Sequence, residues 1–240
     1  MTRVAVSWSG GKDCCLALYK ALQKGLEVSC LLNFVSRDER CMGHGISSKL
    51  IAAQSEATGI PLLQKEVTWD TYEEGFKEAA RELKGMGIDG IVFGDIDIVE
   101  HIDWVIRVCN EVGVLYMEPL WRLDRVRILK EFVGLGFEAI VVSARADIFG
   151  SEWLGKKVNE AFINDLLRLR EKRDFDVCGE LGEYHTLVTD GPIFKKHVGI
   201  RAHKKVLRED LKRWLLDITD FSLEEKPARS HGPLTSLTTL

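Results

Sequence analysis

The sequence predicts an α/β fold built on a parallel sheet, and three observations carry that reading. Short apolar runs alternate with segments of helical period from the N-terminus to about residue 145, the pattern of successive strand–helix–strand units. The run Val28–Phe34 is apolar but for Ser29 and Asn33, as expected of a strand covered on both faces. The first run, Val4–Ser7, passes through a Gly-Gly loop directly into a helical pattern.

The elements follow in order. Val4–Ser7 is the first strand, and the helix over Cys14–Gln23 stops at Gly25, which accepts the left-handed conformation that ends helices. Val28–Phe34 is the second strand. Ser47–Ala57 carries Leu50, Ile51 and Ala53 on one helical stripe, and Pro61–Val67 is the third strand. Asp70, with Glu73 three residues on, predicts a capping box opening a helix to Lys84. Asp89–Asp95, Glu100–Val112, Val114–Trp121, Asp124–Leu135 and Ala139–Ser143 continue the alternation. From Trp153 the rhythm changes to one long helical stretch, Val158–Lys172, then a Gly- and acid-rich segment and strand-like runs at Thr186–Thr189, His197–Val206 and Leu215–Ser222. The expected organisation is a Rossmann-like parallel-sheet domain over residues 1–122, extending toward about 150, and a smaller mixed α+β domain over 123–223. The Ser-, Thr- and Pro-rich residues 224–240 are expected to be mobile. No internal repeat is visible.

Composition narrows the function. The 240 residues are 45% hydrophobic and 29% charged with a formal charge of −4, which argues against broad electrostatic binding of nucleic acid. No apolar run reaches the ~18–20 residues needed to span a bilayer, and the direct entry into a strand leaves no room for a leader. Six cysteines at 14, 15, 30, 41, 109 and 178 contain no CxxC pair, so they read as reduced thiols in a cytoplasmic protein rather than a zinc site or disulfide framework.

The chemistry starts at Ser7-Trp8-Ser9-Gly10-Gly11-Lys12-Asp13-Cys14. A glycine loop leading into a helix points successive N–H groups at one spot, where the helix dipole favours a phosphate. The spacing fits neither the common P-loop nor the three-glycine dinucleotide fingerprint. It resembles the SGGKDS signature of the PP-loop ATP pyrophosphatases, with Cys14 where serine or threonine is usual. Lys12 is the natural partner of ATP phosphates. Asp13 either caps the helix or holds magnesium, and Cys14 keeps its N–H for the anion nest although the hydroxyl is missing.

In an open parallel sheet, ligands collect at the carboxyl ends of the strands near the switch in strand order. That rule selects Phe34 and the Ser36–Gly45 stretch, Gly94-Asp95, Glu118–Trp121 and Ser143-Ala144. His44, between Gly43 and Gly45, either faces a ligand or sits in a flexible crossover. Asp95 and Asp97 are candidates for ribose, magnesium or substrate, with helix capping as the competing use. His101 is read as a core residue. Trp121 and Trp153 could stack on adenine or meet a cation, or simply pack.

The second polar concentration is Cys178–Phe194, with Gly179, Glu180, Gly182, Glu183, Tyr184, His185 and Thr186 followed by Asp190-Gly191-Pro192. Glu180 and Glu183 could hold a cation or take a proton from an attacking amine; a solvated surface hairpin is the structural alternative. Taken with Ser9–Asp13 and Trp153-Leu154-Gly155, the Gly-Glu-x-Gly-Glu-Tyr-His-Thr-Leu segment resembles the diphthine–ammonia ligase family, N-type ATP pyrophosphatases of archaea and eukaryotes. The resemblance covers residues 1–222.

The resemblance implies an adenine-nucleotide α-hydrolase domain followed by a substrate domain. It implies an AMP-forming ligase that uses ATP, Mg2+ and ammonium to convert the diphthine carboxylate of elongation factor 2 into the amide of diphthamide. It assigns nucleotide binding to Ser7, Ser9, Gly10, Gly11, Lys12, Asp13, Cys14, Phe34, Gly94 and Asp95, with magnesium on Asp13 and Asp95. Substrate binding falls to His44, Trp121, Gly179, Glu180, Gly182, Glu183, Tyr184, His185, Thr186 and Asp190, and catalysis to Lys12, Glu180, Glu183 and His185. With no glutaminase segment evident, free ammonium is the expected nitrogen source. A homodimer is compatible with this reading. The alternatives are a PP-loop enzyme that adenylates a tRNA base and a non-catalytic ATP or AMP sensor.

Overall fold

Five short strands, β1 (Arg3–Ser7), β2 (Glu27–Val35), β3 (Leu62–Glu66), β4 (Gly90–Val92) and β5 (Leu115–Met117), pair in parallel in the order β3-β2-β1-β4-β5. This computed structural model describes residues 1–43 and 45–226; His44 and residues 227–240 lie outside the described residues. Side chains alternate across the sheet as the strand period requires. Val4 and Val6 face one hydrophobic cluster while Ala5 faces the other, and Leu31 opposes Cys30 and Leu32 in the same way.

Helices α1 (Lys12–Gln23) and α2 (Ser48–Thr58) cover the first face, and α3 (Tyr72–Gly85) and α4 (Val99–Val112) the second. Local signals set most helix ends. Ser47 caps α2 by accepting from the Lys49 N–H, and Gly59 ends it at φ 73°. The Asp70 capping box does not form. Thr71 is the N-cap of α3 and makes no side-chain capping bond, because Glu73 turns outward to Lys77, Arg107 and the Trp104 indole instead. Strands β4 and β5 are also shorter than the sequence suggests. Phe93 still donates to Met117 O, after which Gly94 crosses the start of α1 and leaves the ladder.

After α5 (Arg125–Gly134), capped by Asp124, the chain builds a second, antiparallel sheet of order β7-β6-β9-β8. It comprises β6 (Glu138–Arg145), β7 (Tyr184–Asp190), β8 (Lys196–Arg208) and β9 (Arg213–Glu225), with α6 (Glu160–Arg170) between β6 and β7. Ser143-Ala144 therefore does not end a parallel strand. A β-branched run is compatible with either kind of sheet, and here Ser143 instead accepts from Arg213 Nε at 3.0 Å. Trp153 ends a single 3-10 turn and packs on Phe149 and Phe162 with Lys156 Nζ 4.3 Å from its ring centre, a core role. Glu224 and Glu225, assigned above to the tail, pair with His197 and Lys196 in β9.

One continuous hydrophobic cluster runs from Val4 and Leu16 through Phe132 and Phe137 to Leu187 and Leu216, so the two sheets share a core. All six cysteines are free and buried, and no described helix is long and apolar enough to cross a membrane.

Candidate active site

The parallel sheet reverses direction of growth between β1 and β4, and the crevice at their carboxyl ends is where the topology leaves room for a ligand. A cavity of about 300 Å³ lies there. One wall is Ser7, Ser9, Lys12, Asp13 and Cys14, with Gly94, Asp95 and His101 beside it. The opposite wall is Gly179, Glu180, Gly182, Tyr184, His185 and Thr186 from the second sheet, and Met42 and Gly43 complete the rim.

The loop is held by contacts distant in sequence. Gly10 has φ 79°, and a Cβ there would stand 2.5 Å from Gln54 Oε1, so only glycine fits. Its carbonyl accepts from Gln54 Nε2 and Val188 N, both at 3.0 Å. Gln54, fully buried on α2, also donates to Val188 O at 2.7 Å and accepts from the Trp8 indole at 3.0 Å. Replacing Gln54 with alanine removes three buried side-chain hydrogen bonds. The expected loss is about 3 kcal/mol, read in a thermal melt as a drop of about 10 °C for a chain of this size.

Helix α1 begins at Gly11, which makes no side-chain capping bond. The Lys12 N–H donates to Thr186 Oγ1 at 3.0 Å, while the N–H groups of Asp13 and Cys14 have no acceptor among the described residues. Asp13 does not cap. Its Oδ2 receives Lys12 Nζ at 2.9 Å, and its Oδ1 is buried without a partner among the described residues. Lys12 is 3% exposed and its ammonium also reaches Cys178 O and lies 5.0 Å from the Tyr184 ring centre. Burial opposes its charge, but Asp13, Tyr184 and Cys178 outweigh burial and raise its pKa. The Cys14 thiol is buried, turned toward Gly11 O at 3.2 Å and Ser9 Oγ at 3.5 Å.

Gly94 completes this wall. A Cβ on it would sit 2.9 Å from Cys14 N and 3.0 Å from the Asp13 carbonyl carbon, both backbone atoms. Gly94→Ala is expected to push the start of α1 away from the crevice and weaken ATP binding about tenfold, roughly the loss of one charge-assisted hydrogen bond, with little change in melting temperature.

The facing wall is organised by Asp176, which the sequence reading missed. Its carboxylate accepts from Cys178 N at 2.8 Å and Glu180 N at 3.0 Å and pairs with Arg125 at 3.0 Å. Gly179, at φ 75°, lies against Tyr184 O, which a Cβ would approach to 2.7 Å. Glu180 Oε1 accepts from Ile96 N at 2.9 Å, tying this loop to the end of β4. Burial, reinforced by the charges of Asp13 and Asp95, lifts its carboxyl to about 7. His101, read above as a core residue, is exposed at the cavity rim. It stands in the first turn of α4, where Nδ1 lies 2.9 Å from Asp95 Oδ1. Asp95, His101 and Glu180 offer ligand atoms within 4.8 Å of one another. Nearby, burial and the charges of Asp95 and Glu180 push Glu118 up to about 9, and both its oxygens are buried.

Other candidates stand elsewhere. Glu183 is 2% exposed and does not line the cavity; its Oε1 accepts from Asp176 N at 3.0 Å, inside the loop. Phe34 packs behind the sheet, 5.0 Å from Tyr72 and 5.9 Å from Phe76 between ring centres. Trp121 follows β5, bonded to Glu118 O, and is not among the lining residues. Asp190 ends β7, paired with Lys226 and near His197. Of the residues missed, Gln54 left one trace, a long polar side chain on the apolar stripe of its helix.

Comparison with known proteins agrees with this architecture. The family described as diphthamide synthase N-terminal domain matches residues 2–116, and diphthamide synthase C-terminal domain matches residues 124–222. A Danio rerio protein named diphthine–ammonia ligase is 27% identical over 230 residues, covering 87% of this chain and 90% of that protein. One of the same name from Schizosaccharomyces pombe is 27% identical over 210 residues, covering 79% of this chain but 34% of its own length. Among solved structures, one titled a predicted subunit of tRNA methyltransferase from Methanocaldococcus jannaschii has a TM-score of 0.43 at 13% identity, covering 80% of this chain and 98% of that one. With the two family descriptions together spanning both sheets, the chain belongs to the diphthamide synthase family.

Proposed function

We propose that this protein is an ATP-dependent amide ligase that converts the diphthine carboxylate of elongation factor 2 to diphthamide with ammonium, releasing AMP and pyrophosphate. The observation that carries the proposal is the pairing, across one cavity of about 300 Å³, of a phosphate-type helix start with an acid–histidine cluster. A carboxylate resists ammonia because it is anionic and lacks a leaving group. ATP supplies that leaving group by adenylation of the carboxylate, and ammonia then displaces AMP.

Each wall suits one part of this task. The Asp13 and Cys14 N–H groups, the α1 dipole and the Lys12 ammonium suit the phosphates and the negative charge that grows on pyrophosphate as it leaves. The unpartnered Asp13 Oδ1 fits a magnesium ligand, with Asp95 beside it, and the ion would neutralise phosphate charge. Glu180, with His101 and Asp95, suits an ammonium ion that must lose a proton before it attacks, and a carboxylate poised near neutrality is the right acceptor. Glu183 acts at one remove, by holding Asp176 and through it the Glu180 backbone. Residues 1–122 supply the phosphate side, and the ammonium side is shared between Asp95 and His101 of that part and Glu180 of residues 123–223. Six buried free thiols fit a reducing compartment and support a cytoplasmic site of action.

The test is incubation with magnesium, α-labelled ATP, ammonium and elongation factor 2 bearing diphthine. AMP formed in step with the mass change of replacing a hydroxyl by an amino group is the expected result. AMP formed only when tRNA is added, or ATP bound without turnover, would overturn it.

A further inference from the structure

A second cavity, of about 370 Å³, opens beside the first and shares Ser7, Asp95 and His101 with it. Its remaining walls are apolar or aromatic, chiefly Trp69, Tyr72, Phe93 and Trp104. Three of these rings stand in a row, with centres 6.0 Å apart from Trp69 to Tyr72 and 5.8 Å from Tyr72 to Trp104. Trp69 is 71% exposed although it precedes a well-packed helix, and with Tyr72 and Trp104 it forms a contiguous aromatic surface of the kind that marks binding sites. The row is braced from behind. The Trp104 indole N–H donates to Glu73 Oε2 at 3.0 Å, and Glu73 is in turn held by Arg107 at 2.6 Å and Lys77 at 2.7 Å. Tyr72 rests on Phe34. Trp104 and Tyr72 are therefore held in place before any ligand arrives, which lowers the entropy cost of binding.

The lining contains no lysine or arginine, and its one carboxylate, Asp95, meets the His101 imidazole at 2.9 Å. That composition is wrong for a phosphate and right for a quaternary ammonium ion. Such a cation donates no hydrogen bond and spreads its charge over methyl groups, so ring faces and a nearby carboxylate are what recognise it. We infer that this cavity receives the trimethylammonium group of the side chain whose carboxylate is amidated next door, an inference that rests on the ligase reading above. In diphthine the ammonium nitrogen and the carboxyl carbon are bonded to the same carbon atom, so a cation site for this substrate must abut the reaction site. The shared wall of Asp95 and His101 satisfies that constraint. Phe34 then buttresses the row through Tyr72.

Two measurements test the inference. The first is calorimetric binding of choline against 3,3-dimethylbutanol, its neutral isostere, to the wild-type protein and to Trp69→Ala. Choline should bind the wild type at least about fivefold tighter than the isostere, and Trp69→Ala should abolish that preference. The second compares wild type, Trp69→Ala and Trp69→Phe for the KM of diphthine-bearing elongation factor 2 and for ATP affinity. Trp69→Ala should raise that KM about tenfold, kcat should change less than KM, ATP affinity should stay put, and Trp69→Phe should recover most of the loss. Equal binding of choline and its isostere would overturn the cation site. So would a fall in ATP affinity with an unchanged KM for the factor, which would make the cavity an adenine pocket. A wild-type protein that prefers choline but never amidates the factor would retain the cation site and sink the ligase reading instead.

Discussion

Lys12→Ala is expected to cut AMP formation by about 100- to 1,000-fold, the scale of removing a charged donor aimed at the transition state, and to destabilise the fold as well. The two effects have separate causes. On the cavity side, the ammonium is the strongest positive charge the loop offers to ATP phosphates. On the protein side, it balances Asp13, whose Oδ1 has no partner among the described residues, with Asp95 and Asp176 close enough to add repulsion. Removing one member of a buried pair leaves the other uncompensated, at a cost of about 3 kcal/mol. Lys12→Met separates the contributions further, since it keeps the side-chain volume beneath Tyr184 while losing the charge. AMP formation by each variant, with its melting temperature, checks the argument. Wild-type turnover in Lys12→Met would show that the phosphates are bound elsewhere.

The parts of this site that could be read from sequence are the ones whose geometry is local. Ser9–Cys14 announces itself because a strand, a glycine pair and a helix start must be contiguous to make an anion nest. The partners that fix that nest are not contiguous. Gln54 reaches it from α2 and Thr186 from β7, across 44 and 174 positions. The Gly-Glu-x-Gly-Glu segment shows the same limit at short range. Gly179 and Gly182 both take positive φ, so the chain reverses twice and the two glutamates diverge, Glu180 toward the cavity and Glu183 into the loop. Their spacing alone cannot say which is which. His101 looked like core because Trp104 and Val105 lie near it on its helix, and the turn from β4 into α4 brings Asp95, six residues away, up against it. The fold class was legible from alternation of strands and helices. The second sheet was not, since the strand run of β6 has the same composition whether its neighbours are parallel or antiparallel.

Glu180→Gln is expected to lower amide formation about 100- to 10,000-fold while ATP binding and adenylate formation persist. The amide still offers an oxygen to Ile96 N, so the link between the loop and β4 survives and the loss falls on proton transfer. The pH profile supplies the sharper test. With its carboxyl lifted to about 7, Glu180 is protonated and unable to accept a proton at pH 6. At constant free ammonia the wild-type rate should therefore climb through pH 7 and level off, and Glu180→Gln should flatten that limb. The same shift has an opposite consequence for stability. In the unfolded chain this carboxyl ionises near its ordinary 4.5, so between there and 7 the unfolded state releases its proton first and folding loses stability as pH rises. The loss amounts to about 2 kcal/mol once partial exposure is allowed for. Glu180→Gln removes it, so the variant should melt about 5 °C higher than wild type at pH 8 and no higher at pH 4. A residue whose removal abolishes the reaction but stabilises the fold is held in its place by function. If the variant instead melted lower at pH 8, Glu180 would be part of the scaffold, and the proton acceptor would have to be sought at His185 or His101.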